Sequence, residues 1–472
     1  MTGPRGVVVS GRPFTSSDSV DNLSVFDLTQ GDYVLTVHGV AADYRFRLLD
    51  LATASDLTIG STVSDTLNPA QETDLYRFQA LAGEKYYFDR ISHSGGNTYW
   101  RLLDPFGRVV WGSNSFNADA GLVTMAFDGT YTLMMEGRYN ATGTGSYSLR
   151  VQKIQDGNQL LVLNETVDSS LTERGQTQVF TFTLDQATQV YFDNLTTNNQ
   201  FETYYLRWTL TGPRGVVVSD QPWRDSDSYD ANANGRPSIF DLAAGSYTMT
   251  VVSTNEVLGN FSFRLLDLAQ GTAIDTGAVI NGTLNPANQT QVFHFDAVAG
   301  DRFWFDYLSR SGGDIYWRLL DPFGQTVWGP NFLDYDYQIG TRTLTQTGTY
   351  TLLVEGRYYT TGDISYSFKL QPVVDEAFDL ALNTVNNGAI DHMGQRDSYS
   401  FTLTETKRIY FDSQSDNYYL RWYLSGPQGT LVSNQPLRDS DSANGTFILE
   451  LIPGNYTLTM AGDGANVGSY AF

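Results

Sequence analysis

The chain has 472 residues, with 52 acidic and 29 basic side chains, a formal net charge of −23 and no cysteine. So large an excess of carboxylates repels nucleic acids and anionic membranes, and the lack of cysteine excludes disulfides and thiol chemistry. No stretch reaches the roughly eighteen consecutive apolar residues of a membrane-spanning helix, so we expect neither a nucleic-acid partner nor a membrane span within these residues.

Two sequence blocks recur along the chain and alternate with each other. GPRGVVVS begins at Gly3 and again at Gly212, and a related GPQG begins at Gly426, whereas YWRLLDPFG begins at Tyr99 and Tyr316. We name the units with YWRLLDPFG A repeats and the units with GPxG B repeats. Self-similarity over such distances is typical of a tandem array of small domains.

Aligning the repeats predicts five units. They are residues 1–56, the C-terminal half of a B repeat; 57–154, an A repeat; 155–272, a B repeat; 273–373, an A repeat; and 374–472, a B repeat without its last strand. Short joins restrict motion between neighbouring domains, so we expect a stiff array. Because the first unit matches half a repeat, we expect the sequence to be a segment of a longer polypeptide.

Alternation of apolar and polar residues fills most of each unit, as in Gln178–Phe182 and Tyr350–Val354. This period of two, with aromatic and β-branched residues, is typical of half-buried strands. Turn signals such as Asp104–Gly107 separate the runs, and no stretch has the 3.6-residue period of a helix. We therefore predict an all-β chain, a tandem array of antiparallel jelly-roll-like β-sandwich domains of about 100 residues in two alternating types.

The order of turns and strands resembles that of a known domain family. The matching segments are Asp74–Phe78, Ala82–Glu84, Leu102–Gly107, Gly129–Leu133 and Gly145–Leu149. They resemble the bacterial pre-peptidase C-terminal (PPC) domain, a small jelly-roll-like sandwich of secreted proteases and large surface proteins. The resemblance covers the A repeats well and the B repeats more loosely. It implies a secreted, non-catalytic module that often binds calcium or an extracellular surface.

No catalytic constellation stands out in the sequence. The four histidines are His38, His93, His294 and His392. None has a serine, cysteine or metal partner at a spacing typical of catalysis, and the chain lacks a nucleophile elbow, an HExxH motif and a phosphate-binding loop. We expect this chain not to be an enzyme.

The acidic loop of the middle B repeat carries the strongest chemical motif. From Asp230 it reads D-x-N-x-N-G, a spacing at which alternate oxygens can surround a calcium ion. The other B repeats keep an Asp-Ser pair in the loop and an acid on the next strand, so we predict calcium as a ligand; a solvated acidic loop is the alternative. The candidate calcium ligands are Asp225, Asp227, Asp230, Asn232, Asn234, Asp241, Asp439, Asp441, Glu450, Asp18 and Asp27.

Four of the five units also pair an aspartate on one strand with an arginine on the next strand. We interpret these pairs as cross-strand salt bridges that fix register. They are Asp89 with Arg101, Asp193 with Arg207, Asp306 with Arg318, and Asp412 with Arg421.

Repetition without a catalytic constellation favours a structural role. We predict a non-catalytic extracellular or cell-surface protein that forms a fibre, sheath or stalk through neighbouring repeats or self-association. The alternative is a calcium-dependent adhesin or a carbohydrate-binding array, because aromatic side chains can stack on sugar rings of a surface polysaccharide. The strand tryptophans Trp100, Trp208, Trp317 and Trp422 are expected in cores instead.

Overall fold

The structure, a computed structural model, describes residues 1–22, 25–196, 205–441 and 448–472. Strands dominate it, and the prediction of an all-β repeat chain is confirmed. The described residues also contain two short helices, α1 (Ser228–Ala233) and α2 (Asp336–Ile339). Single turns of 3-10 helix lie at Phe14–Ser16, Ser19–Asp21, Leu51–Thr53 and Leu268–Gln270.

The first 54 residues contain little regular structure. A two-stranded hairpin, β1 (Thr2–Gly3) and β2 (Gly6–Val7), surrounds the first GPRG turn. The sequence Arg47–Leu51 matches Arg264–Leu268 of the middle B repeat, yet Arg47–Asp50 form no strand here. A strand needs a neighbour for its backbone hydrogen bonds, and the described residues provide none at this position.

The first A repeat forms two sheets. Its strands are β3 (Ser55–Asp56), β4 (Thr62–Leu67), β5 (Thr73–Ala80), β6 (Lys85–Ser94), β7 (Thr98–Leu103), β8 (Val109–Ser115), β9 (Gly121–Thr124), β10 (Gly129–Gly137) and β11 (Gly145–Ile154). The spatial orders are β3-β5-β10-β7-β8 and β4-β11-β6-β9.

The middle B repeat has the same order of strands. They are β12 (Gly157–Leu160), β13 (Val167–Leu171), β14 (Thr177–Leu184), β15 (Thr188–Asn194), β16 (Leu206–Gly212), β17 (Gly215–Pro222), β18 (Ile239–Leu242), β19 (Gly245–Ser253) and β20 (Gly259–Asp267). The sheets are β12-β14-β19-β16-β17 and β13-β20-β15-β18.

The second A repeat reproduces the topology of the first. Its strands are β21 (Thr272–Ala273), β22 (Val279–Leu284), β23 (Thr290–Ala297), β24 (Arg302–Ser311), β25 (Ile315–Leu320), β26 (Thr326–Phe332), β27 (Thr341–Thr343), β28 (Gly348–Gly356) and β29 (Ile364–Pro372). The sheets are β21-β23-β28-β25-β26 and β22-β29-β24-β27.

The last B repeat has one five-stranded sheet and two pairs of strands. Its strands are β30 (Glu376–Asp379), β31 (Asn387–Ile390), β32 (Arg396–Leu403), β33 (Lys407–Tyr410), β34 (Leu420–Gly426), β35 (Gly429–Pro436), β36 (Ile448–Leu451), β37 (Gly454–Gly462) and β38 (Gly468–Ala471). The sheets are β30-β32-β37-β34-β35, β31-β38 and β33-β36.

The two sheets of an A repeat share one apolar core. In the second A repeat, Phe295 and Trp317 of the five-stranded sheet pack with Phe305 and Phe368 of the four-stranded sheet. The first A repeat has an equivalent core around Phe88, Trp100 and Tyr131. Alternate residues of each strand supply this core, which is why the period of two was so clear in the sequence.

Contacts divide the chain into two compact units. The first comprises Met1–Asn158, Leu171–Val179 and Val251–Gly259; the second comprises Gln159–Ser170, Phe180–Thr250 and Asn260–Phe472. Within each unit a repeat contacts the next one in sequence, as in solenoid-type repeat proteins. The five-unit division at the boundaries of the sequence repeats stays a prediction.

Candidate functional site: contacts between successive repeats

Helix α1 occupies the position where the sequence predicts a calcium loop. Asp230 and Asn232 lie two positions apart in α1, and Asn234 caps its C-terminus, where its side-chain nitrogen donates to the Asp230 carbonyl oxygen at 2.8 Å. Residues two apart in a helix do not face each other. The alternate oxygens of the motif therefore do not converge on a single point in this structure.

Asp230 instead contacts the following A repeat. Its two carboxylate oxygens accept from Nε and Nη2 of Arg357, each at 2.9 Å. The hydrogen bond to Asp230 raises the pKa of Arg357. A bidentate, charge-assisted pair of this kind fixes orientation as well as adding energy, so the acidic loop serves here as a contact between repeats.

The same contact recurs in the other compact unit. Asp21, which aligns with Asp230, accepts from Nε and Nη2 of Arg138 at 3.0 and 2.9 Å. Arg138 aligns with Arg357, because both follow a Glu-Gly pair at the end of the matching strand. Two independent copies of one geometry argue for a contact that the sequence specifies.

Two further candidate ligands lie buried beside α1. Asp225 accepts from Arg224 Nε at 2.9 Å and from Arg236 Nη1 at 2.6 Å. Asp227 accepts from the Asn194 backbone N–H at 2.7 Å. Burial raises the pKa of the Asp227 carboxyl well above its usual range, and the charge of Asp193 adds to this effect.

The candidate ligands on neighbouring strands and in the last B repeat have protein partners. Asp241 accepts from Gln189 Nε2 at 2.9 Å, Asp439 from Arg438 Nε at 3.0 Å and Asp441 from the Ser413 backbone N–H at 2.7 Å. Glu450 lies 3.7 Å from Arg408 in an exposed ion pair. These acids are therefore spread over separate contacts.

The last two candidates lie in the first 54 residues. Asp18 precedes the 3-10 turn at Ser19–Asp21, and Asp27 is exposed in an irregular segment. Across the described parts of the chain, no group of three or more His, Cys, Asp or Glu side chains is placed to hold a metal ion. Calcium binding stays a prediction.

A buried ion pair lies beside the Asp230–Arg357 contact. Arg318 Nε is 2.9 Å from Glu355 Oε1, and the two side chains are 8% and 0% exposed. Nη2 of Arg318 also donates to the Ser228 carbonyl oxygen at 3.3 Å. Burial raises the pKa of Glu355, and the adjacent Arg318 opposes that shift. The guanidinium thus joins its own repeat to the loop of the preceding one.

The first A repeat contains the matching pair. Arg101 Nε donates to Glu136 Oε2 at 2.9 Å, and Arg101 Nη2 donates to the Ser19 carbonyl oxygen at 2.6 Å. Ser19 and Ser228 also share an uncommon backbone conformation, with φ of 53° and 49°. Non-glycine residues with positive φ are uncommon, so the serine at this position adopts the same uncommon conformation at both B-to-A contacts.

Apolar side chains also pack across the B-to-A contact in the second unit. Tyr191 and Leu266 of the B repeat pack with Leu320 and Leu353 of the A repeat, and all four are buried. The Tyr191 hydroxyl oxygen accepts from the Ser228 backbone N–H at 2.9 Å. Both faces of β15 are therefore buried, one in its own core and the other against the A repeat.

The A-to-B contacts use other residues and include hydrogen bonds and ion pairs. In the first unit, Arg174 Nη1 donates to Asp119 at 3.0 Å and Tyr87 donates to Glu256 at 2.6 Å. In the second unit, Arg302 is paired with Asp375 at 2.6 Å and donates to the Gly394 carbonyl oxygen at 2.7 Å. Two different kinds of contact thus alternate with the two kinds of repeat.

The predicted cross-strand Asp–Arg pairs are wrong. Asp89 pairs with Arg150, and Arg101 with Glu136. The reason is topological: β6 and β7 follow each other in sequence but belong to different sheets, so their residues are not cross-strand neighbours. The other predicted pairs separate likewise into Asp193–Arg264, Arg207–Asp220, Arg318–Glu355 and Arg421–Asp463.

The strand tryptophans lie in cores, as predicted. Trp100, Trp317 and Trp422 are fully buried, and Trp208 is nearly so. Trp100 packs edge-on against Phe116, with ring centroids 4.7 Å apart. These four rings are therefore not exposed platforms for sugars.

Sequence reasoning missed the residues that make the B-to-A contact on the A side. A signal for them was present, because Glu136-Gly137-Arg138 recurs as Glu355-Gly356-Arg357 in the A repeats. The B repeats have Val252-Ser253-Thr254 and Ala461-Gly462-Asp463 at the same place. The Glu-Gly-Arg sequence at this strand end is present in the A repeats alone, which indicates a contact specific to that type.

Comparison with known proteins assigns no family. No protein-family model and no curated protein matches the chain. Among solved structures, the CUB1-EGF-CUB2 domain of human MASP-1/3 is 8% identical, with a TM-score of 0.15, over 43% of this chain and 98% of that one. The Sulfolobus turreted icosahedral virus structure is 10% identical, with a TM-score of 0.13, over 63% and 82%. A Paenibacillus xanthan lyase is 11% identical, with a TM-score of 0.15, over 84% and 51%.

Within the described residues, the helices are too short and too polar to cross a membrane.

Proposed function

We propose that this chain is a non-catalytic structural protein whose repeats stack through built contacts to form an extracellular fibre, sheath or stalk. The observation that carries the proposal is the B-to-A contact, which recurs with the same atoms in both compact units. In each, a bidentate Asp–Arg pair accompanies a buried Arg–Glu pair that holds a serine carbonyl. A flexible chain of independent modules has no need of such contacts.

We further propose that each pair of sheets forms one jelly-roll-like sandwich domain of the PPC type. The resemblance to that domain also implies that the protein is secreted. The five-stranded and four-stranded sheets around a common core in the A repeats support this assignment. The net charge of −23 supports a protein that does not bind nucleic acid.

Electron microscopy of the native material tests the proposal. Negatively stained fibres, sheaths or slender stalks are expected. Compact globular particles, or a hydrolytic activity in the purified protein, would contradict it. Imaging should be repeated after Asp230→Ala and Arg357→Ala, since loss of a stacking contact is expected to make the particles visibly more bent than those of an Arg214→Ala control.

A further inference from the structure

The last B repeat has a surface equivalent to the one that the second A repeat covers on the middle B repeat. On the middle repeat, β15 pairs with β18 so that Tyr191 lies opposite Ile239. On the last repeat, β33 pairs with β36 so that Tyr410 lies opposite Ile448. The matching register identifies which residues of the two repeats correspond.

Side-chain chemistry is retained at these positions. Tyr410 and Ile448 repeat Tyr191 and Ile239, and Asp412 repeats Asp193. Arg408 takes the place of Gln189, whose Nε2 donates to the Gly324 carbonyl oxygen of the A repeat at 3.2 Å. Both residues carry N–H donors, so these strand positions of the middle B repeat have counterparts on the last one.

Exposure differs sharply between the two surfaces. Tyr191 is fully buried, whereas Tyr410 is 49% exposed and Ile448 is 56% exposed. Tyr410 and Ile448 lie opposite each other on paired strands, so the two exposed side chains are neighbours on one face of the repeat. The middle B repeat shows what kind of surface covers such a face.

We propose that Arg408, Tyr410, Asp412 and Ile448 form a docking surface for a further A repeat. The partner presents a five-stranded sheet with leucines at the positions of Leu320 and Leu353 and an arginine at the position of Arg318. The B repeats do not fit this role: the middle one carries Thr211, Thr250 and Thr209 at those positions, and the last one carries Ser425, Thr459 and Tyr423. This inference rests on the proposed stacking of successive repeats, and it identifies an A repeat as the partner of the exposed surface on the last B repeat.

The test uses the full chain extended after Phe472 by a second copy of residues 264–373. A matched control carries L320D and L353D in the appended copy alone, which keeps the added strand at Arg264–Asp267 but alters the docking face. Hydrogen exchange is measured on β33 and β36 by mass spectrometry. Exchange about tenfold slower in the extended chain than in the control is expected if docking stabilises these strands.

A second variant guards against misfolding of the control. Ile448→Asp in the extended chain changes a side chain that is exposed in the 472-residue protein, and it too should restore fast exchange. Equal exchange in all three extended chains would overturn the proposal. So would sedimentation of the 472-residue chain as a dimer with β33 protected, because a second copy would then be the partner. Hydrogen exchange and sedimentation do not depend on whether micrographs show fibres. Failure of the docking proposal can therefore be distinguished from failure of the proposed structural function.

Discussion

Arg357 donates one hydrogen bond to each carboxylate oxygen of Asp230, and both nitrogen–oxygen distances are 2.9 Å. The two residues are 127 positions apart in sequence and belong to different repeats. Asp21 and Arg138 repeat the arrangement. Substitution of Asp230 or Arg357 is therefore the most direct way to test how one repeat recognises the next.

A double-mutant cycle measures this pair. Asp230→Asn and Arg357→Gln should each lower the free energy of unfolding, and we expect a coupling energy of about 1–3 kcal/mol because the pair is bidentate and partly buried. Urea unfolding of the chain gives the four values. The exposed Arg214, changed to glutamine, is the control; additive effects of the two changes would contradict the assigned contact.

The buried Arg318–Glu355 pair is expected to respond differently to single and double changes. Glu355→Gln leaves the Arg318 charge buried without its partner and should cost about 3–5 kcal/mol. Arg318→Met with Glu355→Leu removes both charges and should cost far less, since apolar residues fill the space. The denaturant midpoints of the single and the double variant are compared. A double variant as unstable as the single one would show that the charges themselves are needed.

Acid should weaken the first A repeat through Glu84. The hydrogen bond from Lys153, helped by the Leu81 backbone N–H, lowers the pKa of Glu84 to about 2 from an ordinary value of 4.5. Since the folded pKa is the lower one, this stabilisation is complete above about pH 4.5 and disappears as the pH falls towards 2.

Thermal midpoints as a function of pH test the effect. The difference between the unaltered chain and Glu84→Gln should be constant above pH 4.5 and narrow below it. Glu165→Gln, at an exposed position, is the matched control. A difference that does not change between pH 6 and about pH 2 would mean that Glu84 is not the titrating group.

Calcium and chelator distinguish the two roles of the acidic loop. Calcium ligation by Asp230 would compete with Arg357 for the same oxygens, so we expect Asp230→Ala to destabilise the chain in chelator as well as in calcium. A site that binds calcium in the folded state alone would add about 2.7 kcal/mol at a hundredfold excess over Kd. Loss of stability on Asp230→Ala in calcium alone would favour the calcium loop over the interdomain contact.

The fold class was predictable because its signal is local. Alternation in segments such as Tyr350–Val354 reports which residues enter a core, and the repeat itself marked where each unit recurs. Sheet membership was not predictable in the same way. The wrong pairing of Asp89 with Arg101 came from treating consecutive strands as neighbours, whereas β6 and β7 lie in opposite sheets.

Sequence reasoning singled out the acidic loop but not the arginine of the next repeat that contacts it. Spacing alone cannot distinguish D-x-N-x-N-G in an extended loop from the same letters in a helical turn, and α1 places Asp230 towards Arg357. The arginine comes from a distant part of the chain, so no local pattern joined it to the loop. Comparison of A with B repeats could have found it, since Glu355 and Arg357 are specific to one type.

The B-to-A contact joins two unlike surfaces, the outer face of a four-stranded sheet on one side and that of a five-stranded sheet on the other. An isologous contact pairs a surface with its own copy, so it joins two partners and no more. A heterologous contact joins two different surfaces, so a row of repeats still has one unused surface at each of its ends. Alternating repeats that meet in this way have a direction, from B to A and then to B. The contact sets no limit on their number, so the length of the array is fixed by the gene and not by geometry.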